Sequence, residues 1–175
     1  MKKLFVLAGK ARSGKDTVAE FLEKSYSDKK IIKLMYGYWV KNYALMISLW
    51  DGSEENKPRE LLQQIAAESR SVNPNYVIRR MEEDINILKN YADVIIITDA
   101  RMPEEVSMPK EKFLETITVK VSRDNFTSPL SKKQQKDFTE TALDKYNDYD
   151  YVIENDGTLD KLEDKIKHLV ESEWA

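Results

Sequence analysis

The sequence predicts an α/β fold, with a mainly parallel five-stranded sheet and helices on both faces. Three observations lead there. Short β-rich runs alternate along the chain with longer amphipathic patterns. The first run, Leu4–Ala8, is apolar at every position, as a strand covered on both faces requires. The 175 residues suit a single domain, since about 100–200 residues per domain is usual.

Each element follows in order. Leu4–Ala8 is the first strand and runs into Gly9. Thr17–Lys24 sets Val18, Ala19, Phe21 and Leu22 among charges, the pattern of an amphipathic helix. Ile31–Met35 reads as the second strand. From Tyr38 to Trp50, the residues Trp39, Tyr43, Met46, Ile47 and Trp50 recur at helical spacing until Asp51-Gly52-Ser53 breaks the pattern. Pro58 suits a first helical turn, and Leu61, Leu62, Ile65 and Ala66 are expected as that helix's buried stripe. Asn73-Pro74 restarts the chain into a helix carrying Val77, Ile78, Met81, Ile85 and Leu88. Val94–Ile97, four β-branched residues, is the third strand and leads into Thr98-Asp99. Thr116–Val121 alternates as a fourth, and Tyr151–Ile153 is the fifth. Asn155-Asp156-Gly157 then precedes a helix with Leu159, Leu162, Ile166 and Leu169. The core is thus expected at 1–35, 93–123 and 149–175. Two segments read as insertions: a mostly helical one at about 36–92 and a short polar one at about 124–148.

Composition excludes several classes. Hydrophobic residues make up 41% and charged ones 34%, and the net charge is −3, so the chain is not of the disordered type. Such a charge gives no general pull on nucleic acid or an anionic membrane. The absence of cysteine rules out disulfides, thiolate zinc sites and thiol chemistry. Met1-Lys2-Lys3 before Leu4–Ala8 mimics a signal peptide, but the apolar run is shorter than the ~7–15 residues required, and Lys10 and Arg12 follow. No apolar run nears the ~20 residues of a membrane span. A cytoplasmic protein with neither membrane nor nucleic-acid partner is expected.

Residues Gly9-Lys10-Ala11-Arg12-Ser13-Gly14-Lys15-Asp16-Thr17 carry the chemistry. They fit GxxxxGK between a predicted strand and a predicted helix, the context of a P-loop. Backbone N–H groups of such a loop, with the helix N-terminus, bind phosphate oxygens. Gly9, Ala11, Arg12, Ser13, Gly14, Lys15, Asp16 and Thr17 are therefore the expected ATP-phosphate site, with Lys15 reaching the β- and γ-phosphates. Asp16 stands where a metal-binding Ser or Thr is usual. It has two readings: a hard oxygen ligand for Mg²⁺, or a first-turn acid favourable to the helix dipole. GTPases are disfavoured because Asn56-Lys57-Pro58-Arg59 ends in the wrong residue and lies too early. The transporter-type signature is absent, and recombinase and helicase motors need a longer chain.

GKARSGKDT, PRELLQQIAAESR (Pro58–Arg70), IITDARMPEE (Ile96–Glu105) and YVIENDG (Tyr151–Gly157), in that order, resemble the deoxynucleoside monophosphate kinases of phage and bacterial type. These belong to the nucleoside-monophosphate-kinase-like P-loop fold. The chain is also similar to animal-type phosphomevalonate kinases and to dephospho-coenzyme A kinases. The resemblance implies a helical acceptor-binding insertion, a short lid, and transfer of the γ-phosphoryl of ATP, with Mg²⁺, to a (deoxy)nucleoside monophosphate. Phosphomevalonate and dephospho-coenzyme A are the alternative acceptors.

The resemblance also assigns roles. Asp99 and Arg101 match an Asp-x-Arg at the end of the third strand, with Asp99 serving Mg²⁺ and Arg101 the acceptor phosphate; the plainer readings are a helix or turn cap for Asp99 and a surface salt bridge for Arg101. Arg70 is a second acceptor clamp, while Arg59 reads as a solvated charge. Arg79 and Arg80 project about 100° apart, so one is expected to face the cleft, with Arg79 the candidate. Arg123 follows a strand directly and is the lid-side catalytic cation; Lys132, Lys133 and Lys136 read equally well as a solvated loop. Related chains often carry a His near Glu140, where this one has Asp137-Phe138-Thr139. Asn155 and Gly157 would border the adenine, or form a plain turn. Tyr36, Trp39 and Tyr43 would stack on an acceptor base, or belong to the core.

A phosphate acceptor is already an oxyanion and needs no strong base, which suits a chain whose one histidine is the distant His168. A nucleotide-binding module without catalysis is the rival from another class, but Lys15 and Asp99 are both present. The expected partners are ATP and a phosphate-bearing small molecule, and the expected state is a monomer or homodimer.

Overall fold

The computed structural model describes residues 1–123 and 138–173. Its elements are β1 (Lys3–Ala8), α1 (Lys15–Ser25), β2 (Ile31–Leu34), α2 (Tyr38–Ile47), α3 (Arg59–Val72), α4 (Tyr76–Leu88), β3 (Val94–Ala100), α5 (Pro103–Lys112), β4 (Thr116–Ser122), α6 (Phe138–Thr141), β5 (Tyr151–Glu154) and α7 (Leu159–Ser172). The five strands form one sheet in the order β2-β3-β1-β4-β5, and every neighbouring pair is parallel. The expected α/β fold is therefore the observed one.

The central strand explains the double burial. Phe5 and Leu7 point to one face, where they join Val18, Leu22 and Tyr26 of the α1 region with Leu162, Ile166 and Leu169 of α7. Leu4, Val6 and Ala8 point to the other, with Val77, Met81 and Ile85 of α4 and Val106 and Met108 of α5. Leu4–Ala8 is fully buried. Two apolar layers sandwich the sheet, each contributed by alternate residues of the same strands.

Register places the strand ends. Val6 pairs with Ile97 and Ala8 with Ala100, with an irregularity between them. Ala8 also pairs with Lys120, and Ser122 with Glu154. The segments after β1, β3, β4 and β5 consequently emerge along one edge of the sheet. That edge is where α/β folds put their ligands.

The structure departs from the sequence reading in three places. Helix α5 was not among the expected elements: its buried residues Glu105, Val106, Met108 and Pro109 run almost consecutively, and Pro103 and Pro109 interrupt the composition. The stripe expected to be buried on α3 is only half-buried, and no residue of that helix is fully enclosed. On α2 only Ala44 is buried, while Tyr43, Met46 and Ile47 are exposed. The apolar spacing identified these helices correctly but not how deeply they pack. Among the described residues, no helix is long and apolar enough to cross a membrane. Of the polar segment at about 124–148, residues 124–137 lie outside the described residues, and Lys132, Lys133 and Lys136 with them.

Candidate active site

The loop between β1 and α1 is shaped by its glycines. Gly9 has φ +147°, and a Cβ there would lie 2.3 Å from the Val121 carbonyl oxygen of β4. Gly14 has φ +103°, and its Cβ would lie 2.2 Å from Asn155 Nδ2. Only glycine fits such positive φ with backbone or amide at that distance. Arg12, at φ 60°, is the loop's other left-handed residue. Positive-φ bends at Gly9, Arg12 and Gly14 curl the loop tightly, as the backbone of an anion-binding nest does.

The nest is braced from below. Asn155 donates Nδ2–H to the Ser13 carbonyl at 2.9 Å, and its own N–H bonds the Ser122 carbonyl at 2.8 Å. Beside the expected place at the adenine, Asn155 thus has a structural task, its amide bracing the phosphate loop. Gly157 is exposed in the turn before α7, where a Cβ would meet the flexible Lys161 side chain at 2.9 Å. Ser13 is buried, and its Oγ has no hydrogen-bond partner among the described residues. A buried unpaired hydroxyl is costly unless a ligand completes it.

Lys15 opens α1 and is 8% exposed. Its Nζ donates to the carbonyls of Gly9 and Lys10, each at 2.8 Å. Burial pushes the amine down to about 8, aided by the positive charge of Arg101, while Asp16, Glu140 and Asp99 oppose the shift. Asp16 and Arg12 are exposed, and Ala11 and Thr17 half-buried.

At the end of β3, Asp99 accepts the N–H of Tyr36 at 2.7 Å on Oδ1 and of Gly37 at 3.0 Å on Oδ2. It thereby ties the start of α2 to the sheet edge. Arg101, two residues on, is half-buried and pairs with Glu140, which also accepts the Ala11 N–H at 3.0 Å. Arg70, in the last turn of α3, bonds the Ala66 carbonyl at 3.3 Å and lies 3.8 Å from Glu105. Glu105 in turn accepts the N–H groups of Arg101 (2.7 Å) and Met102 (3.2 Å). Burial pushes the Glu105 carboxyl up to about 7, against the pull of those N–H bonds, with Asp99 adding repulsion. The three carboxylates Asp99, Glu105 and Glu140 each already accept two hydrogen bonds, and two of them hold the arginines.

The remaining candidates separate. The Tyr36 ring is 3% exposed and lies in the core layer of α4 and α5, with its hydroxyl donating to the Glu105 carbonyl at 2.8 Å. Of the two readings of Tyr36, stacking on a base or membership of the core, its burial matches the core one. Trp39 has the Arg80 guanidinium over its ring at 4.5 Å. Arg80 also pairs with Glu83 and Asp84, while Arg79 is exposed. Arg59 pairs with exposed Glu54, as a solvated charge would. Arg123 is exposed where β4 ends.

Sequence reasoning missed Glu105 and Glu140 as members of the site. Glu105 had a local signal, because an acid three residues after a cap position and two after Pro103 marks a helix start. Glu140 had none, being 129 residues from Ala11.

The donor set fits a nucleotide triphosphate: a nest with positive-φ glycines, an unpartnered buried hydroxyl and a buried lysine. Magnesium is held by few protein groups plus phosphate oxygens; of the two expected ligands, Asp16 is exposed and both Asp99 oxygens already accept main-chain N–H groups. Among the described residues, no group of three or more acidic or histidine side chains could hold a metal alone.

No protein-family model matches the chain. Several solved structures share its fold. Mycobacterium tuberculosis APS kinase, in complex with AMPPNP and APS, superposes with TM-score 0.55 at 12% identity, covering 97% of this chain and 97% of that one. Shikimate kinase from Aquifex aeolicus has TM-score 0.52 at 17% identity, covering 97% and 96%. Shikimate kinase from Acinetobacter baumannii in complex with shikimate gives 0.50 at 16%, covering 98% and 94%. At such identities the likeness is one of fold: this chain has the α/β architecture of P-loop kinases.

Proposed function

We propose that this chain is an ATP-dependent kinase that moves the γ-phosphoryl group to the phosphate of a (deoxy)nucleoside monophosphate, giving the diphosphate. The observation that carries the reading is the pair of arginines held by carboxylates near the phosphate loop: the Arg101 guanidinium on Glu140, which also accepts the Ala11 N–H, and the Arg70 guanidinium 3.8 Å from Glu105, which caps the Arg101 main chain. Two arginines on the sheet-edge side of the phosphate loop suit an acceptor that brings its own phosphate. The likeness of four segments to deoxynucleoside monophosphate kinases supports the nucleotide part of that acceptor.

The chemistry asks for placement and charge neutralisation rather than proton removal. The loop N–H groups other than that of Ala11, which is on Glu140, and the Ser13 hydroxyl would hold the triphosphate. Lys15 would leave the Gly9 and Lys10 carbonyls and follow the transferring group with its mobile charge. Arg101 and Arg70 would grip the acceptor, and Arg123 would add charge from the β4 side. Asp16 and Asp99 would be the residues to hold Mg²⁺, which when bound would supply charge neutralisation for the transferring phosphate. A hydroxyl acceptor would call for a carboxylate base, whereas a phosphate acceptor is already an oxyanion and needs cations, which Arg70 and Arg101 would offer.

A coupled ADP-release assay with ATP and Mg²⁺ tests this against a panel of nucleoside monophosphates, phosphomevalonate, dephospho-coenzyme A, shikimate and APS. Turnover with a monophosphate is expected. Turnover confined to a hydroxyl-bearing acceptor would reject the proposal.

A further inference from the structure

The segment that begins with α6 is fastened to the phosphate loop at two points. Glu140 accepts the Ala11 N–H with Oε2 and pairs with Arg101 through Oε1. Four residues on, Asp144 meets Lys10 Nζ at 2.8 Å. Behind these contacts Leu143, Tyr146 and Tyr149 pack against the core layer built on Leu4 and Val6. The Glu140 side chain is only 9% exposed, so this is no solvated surface pair.

The chemistry of the bridge is specific. A carboxylate can accept on both oxygens at once, and here one oxygen serves the donor loop and the other the guanidinium that follows β3. The guanidinium is a planar fork with five donors, so bonding one Nη leaves others for an incoming phosphate. Its Glu140 bond and its backbone bond to Glu105 restrain Arg101 from two sides. Lys15 and Arg101 repel each other, and Glu140 acts on Lys15 in the opposite sense. A negative group at this position lets two cations face one reaction centre.

We infer that Glu140 is a positioning residue, which ties the Arg101 guanidinium to the phosphate loop through the Ala11 N–H and so holds the acceptor clamp in register with the donor site. The inference rests on the kinase reading for the role of Arg101. The opposite behaviour is also chemically defined: a carboxylate on a loop N–H could compete with nucleotide phosphate and act as a brake.

Glu140→Gln keeps an oxygen for Ala11 and removes the charge that holds Arg101, whereas Glu140→Ala removes both. Glu140→Gln is expected to raise the acceptor KM about tenfold with the ATP KM within about twofold. Because Glu140 acts through Arg101, Glu140→Gln combined with Arg101→Gln should be no worse than Arg101→Gln alone. Additive losses, an unchanged acceptor KM and kcat, or ATP binding tightened by about threefold or more would each overturn the inference.

A readout free of turnover separates this from the functional reading. With arginine side chains labelled with ¹⁵N, the Arg101 guanidinium, identified by its loss in Arg101→Lys, should rotate slowly in the unsubstituted protein and freely in Glu140→Gln. Equal rotation in both would reject the tether even if no acceptor were turned over. Slow rotation without any kinase activity would reject the kinase reading and leave the tether standing.

Discussion

Lys15 concentrates the electrostatics of the site in one side chain. Burial and the facing charge of Arg101 hold its amine at about 8 rather than its ordinary 10.5, while its Nζ donates to the Gly9 and Lys10 carbonyls. Between those values the free protein has lost a proton that a bound triphosphate would restore, since negative charge favours the ammonium form. ATP affinity should accordingly be level below pH 8 and fall as pH rises from 8 toward 10.5. Calorimetric titrations at pH 7, 8 and 9.5 check this, and equal affinity at all three would contradict it. Lys15→Ala should lower kcat by about 100-fold or more while leaving the circular dichroism spectrum unchanged. At this scale the sequence was most informative, because the GxxxxGK spacing specifies both the bend and the charge. It was least informative about partners. Asn155 as a brace and Tyr36 as a core residue depend on contacts 142 and 69 residues apart along the chain.

Helix α5 shows how one element sets up another's function. Its first turn is capped by Glu105, whose carboxylate reaches back to the N–H groups of Arg101 and Met102. The cap thereby fixes the main chain on which Arg101 sits. A buried carboxylate is an expensive way to do this, and the cost depends on pH. The carboxyl is held at about 7 against an ordinary 4.5, so the folded protein keeps a proton that the unfolded chain has released between those values. This group's contribution to stability is therefore greatest below pH 4.5 and diminishes as pH rises to 7. Glu105→Gln can still accept both N–H bonds and carries no charge. Relative to the unsubstituted protein, it should gain about 1–3 kcal/mol between pH 4.5 and 7.5 in urea unfolding. A constant difference across that range would contradict the argument. The helix itself escaped sequence reading because prolines and consecutive buried positions erase a helical period. The exposed α2 shows the reverse failure, with strong apolar spacing and little burial.

Across the whole molecule, strand order does the assembling. With β1 central and all neighbours parallel, the phosphate loop, the Asp99–Arg101 turn, Arg123 and the Asn155 brace emerge at one edge. Alternation of strands and helices along the sequence made that architecture legible, because each strand's apolar run and each helix's spacing reports locally. The pairing of Glu140 with the loop was not legible, because no local pattern encodes a contact across most of the chain. The central claim is that this edge joins a triphosphate site to a phosphate clamp. Time-resolved ³¹P NMR of the protein with ATP, Mg²⁺ and a nucleoside monophosphate tests it most directly. The γ-phosphate signal should decay as ADP and the nucleoside diphosphate appear in equal amounts. An unchanged ATP spectrum, or decay into inorganic phosphate alone, would contradict the claim.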